Sequence, residues 1–148
     1  MKAILFFILV FLSTQGFSQI STQISFDQKD KTITLKLKNE TEKLYRLSPR
    51  PLQEYIPGTS SFFIFEYKNK NNEVLYTRKR FIFEDQPITE YHKKQLLVEN
   101  QENIYTYNLS KWYKGDVYMI DIYIQIEAQI IGTNDTLKQE IKKRYLWK

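Results

Sequence analysis

The stretch VYMIDIYIQIEA, residues 117–128, alternates apolar and polar side chains with a period of two. Because successive side chains of a β-strand point to opposite faces, this alternation predicts a long strand with one buried face. Asp121, Gln125 and Glu127 fall on the opposite face, and we interpret Asp121 as a charge that discourages aggregation of an otherwise apolar strand. The side chains predicted to share the buried face are Tyr118, Ile120, Ile122, Ile124 and Ile126.

The rest of the chain carries the same kind of signal. Tyr, Phe, Ile and Thr are frequent, the chain has only 4 glycines, and polar clusters interrupt it at regular intervals. Residues 61–68, SFFIFEYK, are apolar on both faces at their start, which predicts a central strand. Residues 95–99 and 104–109 are predicted to pair with each other. The full set of predicted strands is 24–26, 32–38, 43–48, 61–68, 73–83, 95–99, 104–109, 117–128 and 136–147.

Short strands joined mostly by short turns predict an all-β fold, an immunoglobulin-like antiparallel β-sandwich of about seven to nine strands. Residues 136–147 also fit a helix, because Leu137, Ile141 and Tyr145 recur at helical spacing, but the all-β context favours a strand. The segment WYKGDVY, residues 112–118, resembles the tyrosine corner of such folds. Tyr118 would be the corner residue, or else an ordinary core tyrosine.

The first residues are typical of a secretory signal peptide, which we place at residues 1–18. A lysine precedes the apolar run AILFFILVFL, residues 3–12, which is shorter than the about 20 residues that span a bilayer. Gly16 and Ser18 suit a cleavage site, and the whole segment resembles the signals of Bacteroidetes-type exported proteins. The alternative is an uncleaved N-terminal anchor. Residues 19–148 are then expected to form one β-sandwich domain, periplasmic or extracellular and not embedded in the membrane.

The inventory of reactive side chains argues against an enzyme. The chain has no cysteine and a single histidine, His92, which lies in the charged stretch EYHKKQ. A zinc site of the H-E-x-x-H type and a cysteine nucleophile are therefore impossible, and a lipid anchor on cysteine is excluded. The adjacent acids Glu84 and Asp85 are better explained as a turn than as a catalytic pair. We expect no catalytic residue, no metal site and no cofactor.

Charge is modest and mostly dispersed. Without Lys2, 21 lysines and arginines oppose 17 acids, a net charge of +4. Basic residues concentrate at Arg78-Lys79-Arg80 and at Lys142-Lys143-Arg144. This balance predicts a weak attraction to acidic surfaces and no nucleic-acid partner, since no nucleic-acid-binding motif is present.

One loop stands out by its rigidity. The stretch YRLSPRPLQEYIPG, residues 45–58, contains three of the 4 prolines. It can be interpreted as the crossover from one sheet to the other, where proline ends a strand without an unpaired N–H. It can also be a binding edge, with Arg50, Leu52 and Tyr55 as contact residues, because prolines reduce the entropy lost on binding. Trp112 and Tyr113, in the turn before the long strand, are predicted to flank such a site.

Three segments together resemble a known domain: LKLKNETEKLYRLSPRPLQEY, FFIFEYKNKNNEVLYTRKRF and YTYNLSKWYKGDVYMIDIYIQ. They are similar to the non-catalytic N-terminal immunoglobulin-like sandwich of deuterolysin-like (aspzincin) metalloproteases, or to a small bacterial protease-inhibitor-like sandwich. Thr77 departs from the pattern, which often has Gly there. The chain ends at Lys148 without the catalytic domain, so the resemblance implies a fold and transfers no catalytic residue.

These observations lead to a hypothesis with two alternatives. The hypothesis is an exported, non-enzymatic module that docks to another protein, as an inhibitor, immunity factor or accessory subunit of, for example, a protease. The first alternative is a carbohydrate-binding sandwich, in which Trp112, Tyr113, Tyr123 and Tyr55 form a flat platform for a polysaccharide. The second alternative is a structural component of a cell-surface assembly that adds strands at an open sheet edge.

Overall fold

A computed structural model describes residues 20–47, 61–82 and 94–148. Within these ranges almost all regular structure is β-strand, with one 3₁₀ turn, η1, at Leu109–Lys111. The C-terminal segment, predicted as a strand rather than a helix, is a strand. The elements are β1 (Ile20–Asp27), β2 (Thr32–Asn39), β3 (Tyr45–Leu47), β4 (Phe62–Lys68), β5 (Val74–Phe81), β6 (Leu96–Leu97), β7 (Glu102–Asn108), β8 (Met119–Ile130) and β9 (Thr136–Leu146).

The strands form two antiparallel sheets, which confirms the predicted all-β sandwich. One sheet has the order β1-β2-β7, and the other contains β5, β4, β8, β3, β6 and β9. Apolar side chains from the inner faces of both sheets meet in one core, as alternation along each strand requires. Fully buried members from β2, β4 and β8 are Ile33, Leu35, Leu37, Phe63, Phe65, Ile120, Ile124 and Ile126.

β8 is the spine of the larger sheet. It pairs with β9 along one edge from Met119 to Gln129, and β4 and then β3 share the other edge. Phe62 of β4 lies opposite Gln125, and Leu47 of β3 lies opposite Ala128, so β3 and β4 are in line with a gap of two β8 residues. β4 is thus the central strand that its two apolar faces predicted.

The proline-rich stretch connects these two aligned strands. β3 and β4 both pair with the same edge of β8, so residues 48–60 join two strands of one sheet. The interpretation of this loop as a crossover between sheets is therefore wrong. Its contact residues Arg50, Leu52 and Tyr55 lie outside the described residues.

β5 and β6 are aligned in the same way, one strand further from β8: β5 pairs with β4 and β6 pairs with β3. Phe81 of β5 lies opposite Phe62, and Leu96 of β6 lies opposite Arg46, so β5 and β6 are also in line. The break between β3 and β4, joined by residues 48–60, and the break between β5 and β6, joined by residues 82–95, therefore lie side by side in the sheet. Ser61 bridges this level, because its Oγ accepts from the Glu127 N–H at 2.9 Å and donates to the Glu127 carbonyl at 3.1 Å.

The crossovers between sheets occur elsewhere, at 40–44, at 98–101 and at 109–118. The predicted pairing of 95–99 with 104–109 is wrong, because β6 pairs with β3 whereas β7 pairs with β2. The physical reason is the network around buried Asn39. Its N–H donates to the Gln101 carbonyl at 3.1 Å, and its carbonyl accepts from the Asn100 N–H at 2.8 Å. These bonds tie the second crossover to the end of β2.

A buried tyrosine also fixes the end of β7, although it is not the predicted one. The hydroxyl of Tyr67, on β4, donates to the Leu109 carbonyl at 2.8 Å. Tyr118, the predicted corner residue, acts through its backbone: its N–H donates to the Lys68 carbonyl and its carbonyl accepts from the Trp147 N–H, both at 2.8 Å. The Tyr67 hydroxyl thus links β4 to the residue that follows β7, which is a bond between the two sheets and not a tyrosine corner.

Candidate protein-binding site

Side chains of three kinds that dominate protein interfaces meet at one side of the sandwich. Tyr76, Arg78 and Arg80 alternate along β5 and share a face, because they are two residues apart. The turn after η1 places Trp112 and Tyr113 against them. We call these five residues the Trp112 cluster.

The turn that presents Trp112 is built by local hydrogen bonds. Asn108 caps η1, since its Oδ1 accepts from the Ser110 N–H at 3.1 Å and from the Ser110 hydroxyl at 2.7 Å. The Trp112 N–H then closes the turn on the Leu109 carbonyl at 3.4 Å. These bonds set the direction in which Trp112 leaves the backbone.

Trp112 is half-buried and packed. Its ring centroid lies 5.3 Å from that of Phe65 and 6.3 Å from that of Tyr107. Phe65 belongs to the larger sheet and Tyr107 to the smaller one, so the indole fills the seam between the two sheets. A groove of about 300 Å³ runs beside it, lined by Thr106, Tyr107, Asn108, Lys111 and Trp112.

Tyr113 is held in a ring stack. Its ring is almost parallel to that of Tyr76, with an interplanar angle of 8° and centroids 5.3 Å apart, and it also contacts Tyr67. The ring lies directly over Gly115. A Cβ at Gly115 would come within 2.3 Å of the Tyr113 hydroxyl oxygen, so glycine is required there for space.

Two arginines lie against the same indole. The guanidinium carbons of Arg78 and Arg80 are 5.9 Å and 5.6 Å from the centre of the Trp112 ring. Cations over an aromatic face are attracted by its quadrupole. The cluster therefore combines flat aromatic area, guanidinium donors and positive charge on packed side chains.

The opposite, outer face of the larger sheet carries an ion network. Asp121 Oδ1 accepts from Arg144 Nε at 2.5 Å, and Asp121 Oδ2 accepts from Arg144 Nη2 at 2.6 Å and lies 2.8 Å from Lys68 Nζ. The hydrogen bonds from Arg144, followed by those from Lys68, lower the pKa of Asp121 to about 2. A groove of about 560 Å³ beside it is lined by Ile64, Tyr123 and Lys142 among others. Lys68 and Arg144 are both paired with Asp121, as expected for a structural network.

Gln125 and Glu127, predicted on the polar outer face of β8, are buried, with 8% and 6% exposure. Gln125 Nε2 donates to Glu127 Oε1 at 3.0 Å. Burial raises the pKa of Glu127, and the charge of Lys138 acts in the opposite direction. The alternating pattern alone did not predict this burial. It occurs where the pairing of β8 with β4 ends at Gln125, before the pairing with β3 begins at Ala128.

The platform needed for carbohydrate binding is not formed by the described aromatics. Tyr123 lies on the outer face of β8 and contacts Phe62 at 6.0 Å between centroids. Trp112 and Tyr113 pack against the inner-face residues Phe65 and Tyr67. The sheet separates them from Tyr123, and Tyr55 lies outside the described residues.

Of the five predicted contact residues, the structure describes Trp112 and Tyr113 and brings them together. Sequence reasoning missed that Tyr76, Arg78 and Arg80 join them. Their spacing at every second position and the basic run Arg78-Lys79-Arg80 are the signals in the sequence that point to this face. The turn that packs against β5 is set by tertiary contacts, so it could not be predicted from the sequence.

Two further observations concern the described ranges only. No three or more His, Asp or Glu side chains there are close enough together to share a metal ion. Nor does any helix in residues 20–47, 61–82 and 94–148 combine the length and apolar character needed to cross a membrane.

Comparison with known proteins shows a likeness to solved structures. No protein-family model matches the chain, and no curated protein matches it. The chain is similar to the X-ray structure of Northeast Structural Genomics Consortium target SoR45, with a TM-score of 0.46 and 12% sequence identity. The match covers 84% of this chain and 81% of that one.

Proposed function

We propose that this chain is an exported, non-enzymatic binding module that docks to another protein through the Trp112 cluster. Its role would be that of an inhibitor, an immunity factor or an accessory subunit. The resemblance to sandwiches that accompany metalloproteases makes a protease the first partner class to test. The signal-like N-terminal segment supports a periplasmic or extracellular location.

The observation that carries the proposal is the composition and packing of the cluster. Trp, Tyr and Arg are the residue types most often found as binding hot spots. Here they are already packed: Trp112 against Phe65, and Tyr113 in a stack with Tyr76. Side chains that are ordered before binding lose less entropy when a partner arrives, which favours affinity.

The test is a capture experiment with matched variants. The purified domain, residues 19–148, is immobilised and exposed to periplasmic extract and culture supernatant of the native host. Tyr113→Ala removes an aromatic ring from the cluster. Tyr123→Ala, the control, removes an aromatic ring from the other face of the same sheet. Thermal melts first establish that both variants are folded.

We expect one protein to be retained in stoichiometric amount by the wild type and by Tyr123→Ala, and to be lost with Tyr113→Ala. Retention of a polysaccharide in place of a protein would contradict the proposal and favour the carbohydrate alternative. Equal retention by both variants would remove the cluster from the interface. The variant Arg50→Ala/Leu52→Ala/Tyr55→Ala then tests the contact residues predicted in the proline-rich loop.

A further inference from the structure

Arg78 lacks the partner that an arginine in its position usually has. Arg78 is half-buried on β5. Its Nε–H is shielded from solvent yet donates to no acceptor. Buried donors are almost always hydrogen-bonded in folded proteins, so an exception needs an explanation. The ring of Trp112, 5.9 Å away, attracts the cation but offers no lone pair to accept a hydrogen bond.

No carboxylate among the described residues is within ion-pairing distance of Arg78. Asp116, which follows the turn that carries Tyr113, is exposed and is paired with Lys148. Glu73, which precedes β5, accepts instead from the side chain of Asn69 at 2.6 Å. The positive charge of Arg78 is therefore not neutralised within the part of the chain that the structure describes.

The surroundings of Arg78 define what would neutralise it. Arg80 brings a second guanidinium to the same indole, and Lys111 lines the groove that runs beside Trp112. A guanidinium presents a planar fork of donors that matches the two oxygens of a carboxylate. The rings of Tyr76 and Tyr113 provide apolar area beside that fork, suited to the methylene groups of an amino-acid side chain.

We propose that the Trp112 cluster is a receptor for an acidic protein segment, in which a Glu or Asp carboxylate accepts hydrogen bonds from the outer nitrogens of Arg78. This inference rests on the proposed function and specifies its partner. The stem of the acidic side chain packs on the aromatic rings, and the positive charges of Arg80 and Lys111 add attraction that salt screens.

The experiment uses the 15N-labelled domain and synthetic pentapeptides. The probe is acetyl-Leu-Glu-Tyr-Glu-Leu-amide, and its control replaces both Glu residues by Gln. Inorganic phosphate is a third probe. The readouts are the Nε–H signal of Arg78, identified by its loss in Arg78→Lys, and the indole N–H signal of Trp112. Arg46→Lys, an exposed arginine on β3, is the control substitution.

We expect the Glu peptide to shift both signals saturably and the Gln peptide to leave them in place. Raising NaCl from about 0.05 M to about 0.3 M should weaken binding about fivefold, because screening shortens the reach of the charges. Arg78→Lys should weaken it about fivefold through loss of the fork, as judged by the Trp112 signal, and Arg46→Lys should not. Equal shifts with both peptides, a response to phosphate alone, or unchanged binding by Arg78→Lys would each overturn the inference.

Capture from native extracts separates this inference from the proposed function. A partner that is lost with Tyr113→Ala but fully retained by folded Arg78→Gln would leave the binding module standing and refute the carboxylate receptor. A partner lost with both variants, and kept by Arg46→Gln, supports both. If Tyr113→Ala retains every bound protein, the proposed function fails together with the inference.

Discussion

The side-chain amide of Asn39 donates a buried hydrogen bond to the carbonyl of Leu97, with 3.0 Å between nitrogen and oxygen. Asn39 ends a strand of the smaller sheet, and Leu97 belongs to the larger one. The same amide nitrogen lies 2.6 Å from the Lys43 carbonyl, and Oδ1 accepts from the Thr41 N–H at 2.9 Å. One fully buried side chain thus organises the first crossover and joins it to the neighbouring sheet.

Asn39→Asp should strongly destabilise the fold. The substitution keeps the shape but puts a carboxylate oxygen where the amide donated, facing two carbonyls. Loss of two buried bonds, together with repulsion, predicts a decrease of about 3 kcal/mol in the free energy of unfolding, measured by urea titration. Asn134→Asp makes the same chemical change at an exposed turn residue and should alter stability by less than about 0.5 kcal/mol. Similar losses for both variants would contradict this role of Asn39.

Asp121→Asn should weaken the outer-face network. Lys68 has only 11% side-chain exposure, so removal of the carboxylate leaves a poorly solvated cation beside Arg144, with Glu66 at 3.4 Å as its remaining acidic partner. We expect a loss of about 2 kcal/mol in urea titration, between the values for exposed and for buried pairs. Glu40→Gln breaks the exposed contact with Lys38 at 3.9 Å and should cost less than about 0.5 kcal/mol. A loss for Asp121→Asn as small as this would show that the network adds no stability.

The same carboxylate predicts a pH dependence. The pKa of Asp121 is lowered to about 2 from its ordinary value of 3.8, chiefly by hydrogen bonds from Arg144. A lowered folded-state pKa gives stability that is present above pH 3.8 and lost as pH falls toward 2. Melting temperatures between these limits should therefore fall more steeply for the wild type than for Asp121→Asn. Parallel profiles would contradict the assignment.

Glu127→Gln should stabilise the protein at neutral pH. The contribution of Glu127 to stability should depend on pH in the opposite sense to that of Asp121. Burial raises the pKa of Glu127 above 4.5, so its contribution is favourable below pH 4.5 and is lost as pH rises through the raised value. Glutamine keeps an acceptor for Gln125 Nε2 and carries no charge to desolvate. The melting temperature of the variant should exceed that of the wild type at pH 7, and the difference should shrink in acid. A lower melting temperature at pH 7 would mean that the attraction of Lys138 outweighs desolvation.

Gly115→Ala should displace Tyr113 from its stack. A new Cβ would lie 2.3 Å from the Tyr113 hydroxyl oxygen, so the ring must move, at a cost of about 1–3 kcal/mol typical of overpacking. In the background Tyr113→Ala the clash is absent, and Gly115→Ala should then cost little. This double-mutant cycle, followed by urea titration, isolates the contact. Additive losses would show that Gly115 serves the backbone instead.

Local periodicity in the sequence correctly predicted which face of a strand is buried and which strand is central. The buried face of β8 and the central position of β4 follow from alternation and from an apolar second face, and both are found. Partner choice is different, because it is set by contacts between distant residues. The separation of β6 from β7 depends on Asn39, far away in sequence, and Arg78 meets Trp112 only through the packing of two sheets. The period-two pattern of residues 95–109 does not show that β6 and β7 belong to different sheets. The sequence pattern likewise does not show that Arg78 contacts Trp112.

The alignment of β3 with β4 makes the edge of β8 an insertion point. A strand that stops opposite Ala128 and resumes opposite Gln125 needs only a short link, whatever length of chain is actually present. Longer inserts add closure entropy slowly, about 0.6 kcal/mol for each doubling. Because β5 ends and β6 begins at the same position along the sheet, we expect changes of length in either of the two connecting segments to leave the strand pairing intact.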